Sequence, residues 1–270
     1  MSVSISEVLS ARSKGAGFIP FFSIGDPDLE TTEALVKEAA TQGADVIELG
    51  FPFSDPIADG PVIQASYYRA LENGFKVAHA FELVRKLKQG GLKTPLIGMV
   101  SESLVFKMGL DVFFKRAKDS GFDGLIVPDL PAGYEGRAVE VGAANKLALI
   151  FLCAPTTTPE RRDLIARLST GFIYYISVAG ITGTRMALPA DLEAHVNDLK
   201  SRTKTPVCVG FGISQPEQAA AVGRMANGVI VGSALVKQVT QLLESKTPVS
   251  ELVKQVGVSV AALARAAHGE

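Results

Sequence analysis

Three features of this 270-residue chain predict a (β/α)8 barrel, an α/β fold built on parallel strands. Eight short apolar runs recur along it. Amphipathic segments alternate with those runs. No Pro/Ser-rich linker or low-complexity tract interrupts the alternation. Barrels of this kind commonly reach about 250 residues, and hydrophobic residues make up 47% of the chain, enough for a large core. Residues 1–270 are therefore expected to form one barrel domain.

The elements can be justified in order. Residues 1–15 read as a leading helix that could close the bottom of the barrel. The first run is FIPFFSIG (18–25). Asp28 can then cap a helix over 29–42, where Leu35, Val36, Ala39 and Ala40 share one face. The next four runs are VIELGF (46–51), PLIGMV (95–100), GLIVPDL (124–130) and LALIFLCA (147–154). Continuous apolar runs of this length suit parallel strands buried on both faces. Thr157-Thr158-Pro159-Glu160 then resembles a capping box, with Thr157 as the cap. The sixth and seventh runs are FIYYISV (172–178) and PVCVGFG (206–212). Ser214-Gln215-Pro216-Glu217 repeats the capping pattern ahead of a helix over 218–225. The eighth run is GVIVGSA (228–234), and 248–267 read as an extra terminal helix. Eight strand–helix units favour a closed barrel over a doubly wound sheet.

Composition excludes several classes of function. The net charge of -1 leaves no basic footprint for nucleic acid. It also gives no attraction to an anionic membrane surface, and no run is long enough to span a bilayer. The first fifteen residues lack the apolar core of a signal peptide, so a soluble cytoplasmic protein is expected. Cys153 and Cys208 lie in apolar runs and read as small buried side chains. His79, His195 and His268 fall in helical or terminal segments without metal-ligand spacing, so no metal is expected.

In such a barrel the chemistry belongs at the C-terminal ends of the strands. The second run ends near Glu48, which alternation puts on the same face as Val46. A carboxyl in an apolar strand must be paired, hydrogen-bonded or protonated, and desolvation raises its pKa toward the range useful for proton transfer. Asp59 follows eleven positions later in a Pro-, Gly- and Asp-rich loop, a more solvated setting. Two carboxyls in contrasting environments can divide acid and base roles. Asp55 and Asp129 read as loop braces. The sixth, seventh and eighth runs end in small-residue loops, 179–184, 210–214 and 232–234. Such loops expose backbone N–H groups, and helix N-termini add partial positive charge, so they suit a phosphate. No lysine stands at a strand end to form a Schiff base. Carboxylate acid–base chemistry on a phosphorylated small molecule is what remains.

These residues resemble the tryptophan synthase alpha chain family. The most specific match is 48–64, ELGFPFSDPIADGPVIQ. Others are FIPFFSIGDP (18–27), GLIVPDLP (124–131), YYISVAGITG (174–183), VGFGISQPE (209–217) and GVIVGSALV (228–236), so that the resemblance spans about 18–246. It implies cleavage of indole-3-glycerol phosphate to indole and glyceraldehyde 3-phosphate in tryptophan biosynthesis. It also implies that Glu48 is the general acid/base and that Asp59 accepts the indole N–H. Tyr174 and Thr182 would support them, Thr182 by positioning Asp59. Gly183, Gly212, Gly232 and Ser233 would hold the phosphate, and Phe21, Met99 and Phe211 would wall the indole pocket. The resemblance further implies a beta chain as partner in an alpha2-beta2 tetramer. Pyridoxal phosphate is expected in that beta chain and no cofactor in this one.

One stretch departs from the family pattern. Ser101 stands where a Tyr is usual and Ser103 where an Asn is usual, in a loop that borders the pocket and the beta-chain contact. Two other readings stay open at this point. One is a different phosphate-binding barrel enzyme, such as indole-glycerol-phosphate synthase. The other is a regulatory alpha-type subunit without turnover.

Overall fold

The computed structural model describes residues 4–57, 59–176, 188–210 and 212–270. Its helices are α1 (Ile5–Ser10), α2 (Leu29–Thr41), α3 (Pro61–Glu72), α4 (Val77–Gln89), α5 (Glu102–Met108), α6 (Leu110–Ser120), α7 (Ala138–Ala144), α8 (Pro159–Leu168), α9 (Leu192–Arg202), α10 (Pro216–Gly223), α11 (Ser233–Glu244) and α12 (Val249–His268). Its strands are β1 (Gly17–Ser23), β2 (Ile47–Gly50), β3 (Leu96–Met99), β4 (Gly124–Ile126), β5 (Ala148–Ile150), β6 (Leu152–Cys153), β7 (Ile173–Ile176), β8 (Val207–Gly210) and β9 (Gly228–Val231).

Every pairing among these strands is parallel, and the order is β5-β4-β3-β2-β1-β9-β8-β7-β6. The two ends of that order are halves of the fifth apolar run. The expected single strand over 147–154 is interrupted at Phe151. Its first half pairs with β4 through Ile126↔Ile150, and its second half pairs with β7 through Leu152↔Tyr174. The chain itself, with the Phe151 carbonyl accepting from the Tyr174 N–H at 3.1 Å, closes the ring. The remaining seven runs each give one strand.

Alternation divides the side chains into two layers. Ile19 and Phe21 of β1, Val46 beside β2, Ile97 and Met99 of β3, Ile126, Ile150, Tyr174, Cys208 and Ile230 fill the lumen. Phe18, Phe22, Ile47 and Leu49 pack outward beneath the helices. The leading helix closes the lumen from below as expected, because Ile5 and Leu9 belong to the lumen cluster. Gly17 leaves room for Leu9: a Cβ there would meet its methyl group at 2.6 Å.

Two helix starts differ from expectation. The cap of α8 is Thr158, whose hydroxyl accepts from the Arg161 N–H, and not Thr157, whose hydroxyl accepts from the Ala154 N–H at 2.9 Å. Pro159 takes the first helical position, where a missing N–H costs nothing. The same holds at α10, where Gln215 is the cap and Pro216 comes first. Asp28 caps α2 as expected, accepting from Thr31 N–H at 2.6 Å.

The two ends of the chain meet at Asp45. Its Oδ1 accepts from Arg12 Nη2 at 2.8 Å, and its Oδ2 accepts from the Phe18 N–H at 2.7 Å and lies 2.8 Å from His268 Nε2 on α12. Burial pushes this carboxyl up. The hydrogen bonds from His268, Arg12 and Phe18 outweigh burial, and the net result is a value below the ordinary aspartate range. A depressed folded pKa gives stability that is present above the unfolded value and is lost as pH falls through the folded one. Asp45→Asn should therefore cost about 2–4 kcal/mol at neutral pH, and the gap from wild type should shrink below about pH 4. Urea midpoints at pH 7 and pH 3 check this. A gap that does not change with pH would remove the charge from the explanation.

Candidate active site

The top of the barrel gathers two carboxyls and two phenols. Glu48 sits in the middle of β2, level with Phe21 of β1 and Ile97 of β3. It follows Val46 on the lumen face and is only 1% exposed. Its Oε2 is buried without a hydrogen-bond partner among the described residues. Burial, and after it the nearby Asp59 charge, pushes Glu48 up to about 8. At neutral pH this side chain therefore holds a proton it can give.

Asp59 comes from the loop between β2 and α3. Its N–H donates to the Pro56 carbonyl at 3.2 Å, and the Gln64 side-chain amide donates to its carbonyl at 2.8 Å. Gly60 and Pro61 then start α3. Burial and then Asp129 push Asp59 up to about 7. The sequence suggested a more solvated setting for Asp59; its residue is half-buried where Glu48 is fully buried, yet burial is the first cause of its shift as well.

The phenols are Tyr174 of β7 and Tyr67 of α3, which are 5% and 2% exposed. Both are raised by burial first and by both carboxyls next, Tyr174 more by Glu48 and Tyr67 more by Asp59. Each stands over a glycine. A Cβ on Gly210 would lie 2.6 Å from the Tyr174 hydroxyl, and a Cβ on Gly50 only 2.3 Å from the Tyr67 hydroxyl. Tyr174 was expected beside Glu48. Tyr67 was not anticipated. On a helix whose buried face is Ile63, Ser66, Tyr67 and Ala70, it reads as an ordinary core aromatic.

The other expected residues distribute as follows. Phe21 lies in the lumen, and Met99 lines a cleft together with Phe51, Asp59, Tyr67, Ser101 and Asp129. Gly212 has φ 81°, a left-handed conformation suited to glycine. Gly232 is the cap residue of α11 and has no side chain to satisfy the first N–H groups, with Ser233 next in line. The start of α10 differs, since the Gln218 side chain accepts from Ser214 and Gln215 N–H at 2.8 and 3.1 Å. Of the two helix starts, α11 therefore offers the open donors. Thr182, Gly183 and Phe211 lie outside the described residues.

The unusual loop after β3 has a definite structure. Ser101 caps α5 and donates its hydroxyl to Asp129 Oδ2 at 2.7 Å, while the Glu102 N–H donates to Asp129 Oδ1 at 2.8 Å. Asp129 is thus the loop brace its sequence suggested. Ile57 in the loop after β2, Phe106 on α5 and Tyr134 in the loop after β4 are left 84%, 84% and 74% exposed. No group of His, Cys, Asp and Glu side chains able to hold a metal occurs among the described residues. No helix among them is long and apolar enough to cross a membrane.

Comparison with known proteins points to one family. A family model described as tryptophan synthase alpha chain matches residues 8–267. The tryptophan synthase alpha chain of Rhodopirellula baltica is 44% identical over 243 residues, covering 89% of this chain and 87% of that one. Tryptophan synthase subunit alpha from Legionella pneumophila superposes with a TM-score of 0.88 at 34% identity, covering 98% of both chains. A chain from the tryptophan synthase a2b2 complex of Pyrococcus furiosus gives a TM-score of 0.83 at 37% identity, over 93% of this chain and 98% of that one.

Proposed function

The chain belongs to the tryptophan synthase alpha chain family, and from that premise we propose how its residues divide the work. It acts as the alpha subunit of tryptophan synthase, a lyase in tryptophan biosynthesis, and cleaves indole-3-glycerol phosphate to indole and glyceraldehyde 3-phosphate. The observation that carries the assignment of roles is the pair of carboxyls supplied by β2 and the loop after it, both raised chiefly by burial, with Glu48 raised to about 8 and Asp59 to about 7.

Glu48, protonated at neutral pH, gives its proton to indole C3. The ring becomes an indolenine with a cationic N–H. Asp59, as the anion, accepts that N–H and stabilises the charge in a site with little water. The Glu48 carboxylate then takes the proton of the hydroxyl on the adjacent carbon. The carbonyl forms, the C–C bond breaks and its electrons return to the indole. The proton lent to C3 is thus balanced by the one recovered from the hydroxyl. Tyr174 stands beside Glu48, and Thr182 is assigned to position Asp59. Phe21, Met99 and Phe211 wall the ring.

The phosphate is assigned to the N-terminus of α11, with Gly232 and Ser233, and to Gly183 and Gly212. Placing a carboxylate there should repel it. Ser233→Asp is expected to weaken binding of glycerol phosphate on the order of 100-fold, as read by calorimetric titration. An unchanged Kd would move the phosphate elsewhere.

The beta chain is the partner, and the exposed Ile57, Phe106 and Tyr134 rim is its docking face. Pyridoxal phosphate belongs to that beta chain, and the whole of 1–270 works as one barrel domain in the cytoplasm. Indole release by the isolated chain, followed while its own beta chain is added, tests the reading. Release that rises with the beta chain supports it. No release at any beta-chain concentration would leave a regulatory subunit without turnover.

A further inference from the structure

We propose that Tyr67 is a positioning residue for Asp59: its hydroxyl donates a hydrogen bond to that carboxylate while Asp59 is the anion beside the indole nitrogen. The inference rests on the lyase reading above and adds a residue to it. Asp55, Asp59 and Asp129 all line the cleft, and no Lys or Arg does so among the described residues. An anion held there must be satisfied by neutral donors. Among the described residues, the side-chain hydroxyls lining the cleft are those of Tyr67 and Ser101. Ser101 is already engaged, since it donates to Asp129 Oδ2 at 2.7 Å. Among the described residues the Tyr67 phenol is the one left, apart from the Thr182 hydroxyl already assigned to Asp59.

Its placement fits the task. Tyr67 comes about two turns into α3, and Asp59 sits in the loop just ahead of the Gly60 cap of that helix, so the donor lies on the element that the acceptor's loop runs into. Its ring is buried in the lumen cluster with Phe21 and Ile63. The hydroxyl stands over Gly50, the next lumen-facing residue after Glu48, where even a methyl group would collide with it at 2.3 Å. A phenylalanine would fill the same apolar volume, so packing gives no reason for the hydroxyl. A phenol that lines the same cleft as Asp59 and is held by its ring can keep that carboxyl aimed without adding charge of its own.

The charged and titratable groups around Asp59 are Glu48 from β2, Tyr174 from β7, Asp129 from the loop after β4, Asp55 from its own loop, and Tyr67. Burial and then the Asp129 charge oppose its ionisation, and a hydrogen bond from Tyr67 favours it. Tyr67→Phe should therefore raise the Asp59 titration by about one pH unit. Carboxyl carbon-13 resonances of the full chain without substrate would show it directly. The acid limb of kcat/KM for indole release should move up by the same amount, while KM for the phosphate end stays within about twofold. Tyr67→3-fluorotyrosine, a stronger donor in the same volume, should move both readouts the other way. If Asp59 titrates unchanged in both variants, Tyr67 is a core aromatic and the proposal fails. The carbon-13 arm needs no turnover, so a wild-type chain that releases no indole would sink the lyase reading separately.

Discussion

Glu48→Gln is expected to lower indole release by about 10³-fold or more while leaving the binding of a substrate analogue within a few-fold. The amide keeps the size of the side chain and cannot move a proton, and each acid–base step is typically worth ~10²–10⁴ in rate. The same carboxyl serves both steps here, so no second group takes over. The variant should also be more stable than the wild type at alkaline pH. Glu48 titrates at about 8 in the folded chain. In the unfolded chain it releases its proton near pH 4, about the ordinary glutamate value. Between those values the unfolded state binds fewer protons, and ionisation favours unfolding. The cost is on the order of 4 kcal/mol at pH 8, and glutamine removes it. Calorimetric melting of both proteins should show little difference at pH 4 and a higher Tm for the variant at pH 8. Near-normal turnover would end the assignment. Loss of turnover with a lowered Tm at pH 8 would point to a damaged fold.

That trade of stability for activity was partly legible in the sequence. A carboxyl in a strand otherwise made of Val46, Ile47 and Leu49 breaks the local rule for a buried strand, and such breaks mark function. Strand identity, the lumen face of Glu48 and the closure of the base by the leading helix follow from periodicity and could be read. Contacts between distant residues could not. Asp45 and His268 are 223 positions apart, and nothing in the sequence pattern near either announces the other. Tyr67 stayed hidden for a different reason, because helical spacing records that a face is buried and not what its polar atom meets. The split at Phe151 was equally invisible, since an apolar run looks the same whether one strand or two halves use it. The Thr158 cap could have been found. Pro159 marks a first helical position and so points one residue back, to Thr158. Two adjacent threonines hid that signal.

The second large effect is expected from Asp59→Asn. The amide cannot carry the anion that stabilises the indolenine cation, and removing one preorganised electrostatic partner typically costs ~10²–10³ in kcat. The residual activity should carry a second mark. Glu48 is raised first by burial and then by the Asp59 charge, so removing that charge leaves burial alone and brings Glu48 down. The alkaline limb of kcat/KM, which reports loss of the Glu48 proton in the free enzyme, should therefore move to lower pH in the variant. The acid limb assigned to Asp59, at about 7 in the wild type, should vanish. A pH–rate series on the purified variant reads both limbs at once. Wild-type activity would make Asp59 a turn residue ahead of Gly60 and Pro61. Reduced activity with both limbs in their original places would mean that the two carboxyls work independently, and the pair formed by β2 and the loop after it would have to be given up as the basis of the mechanism.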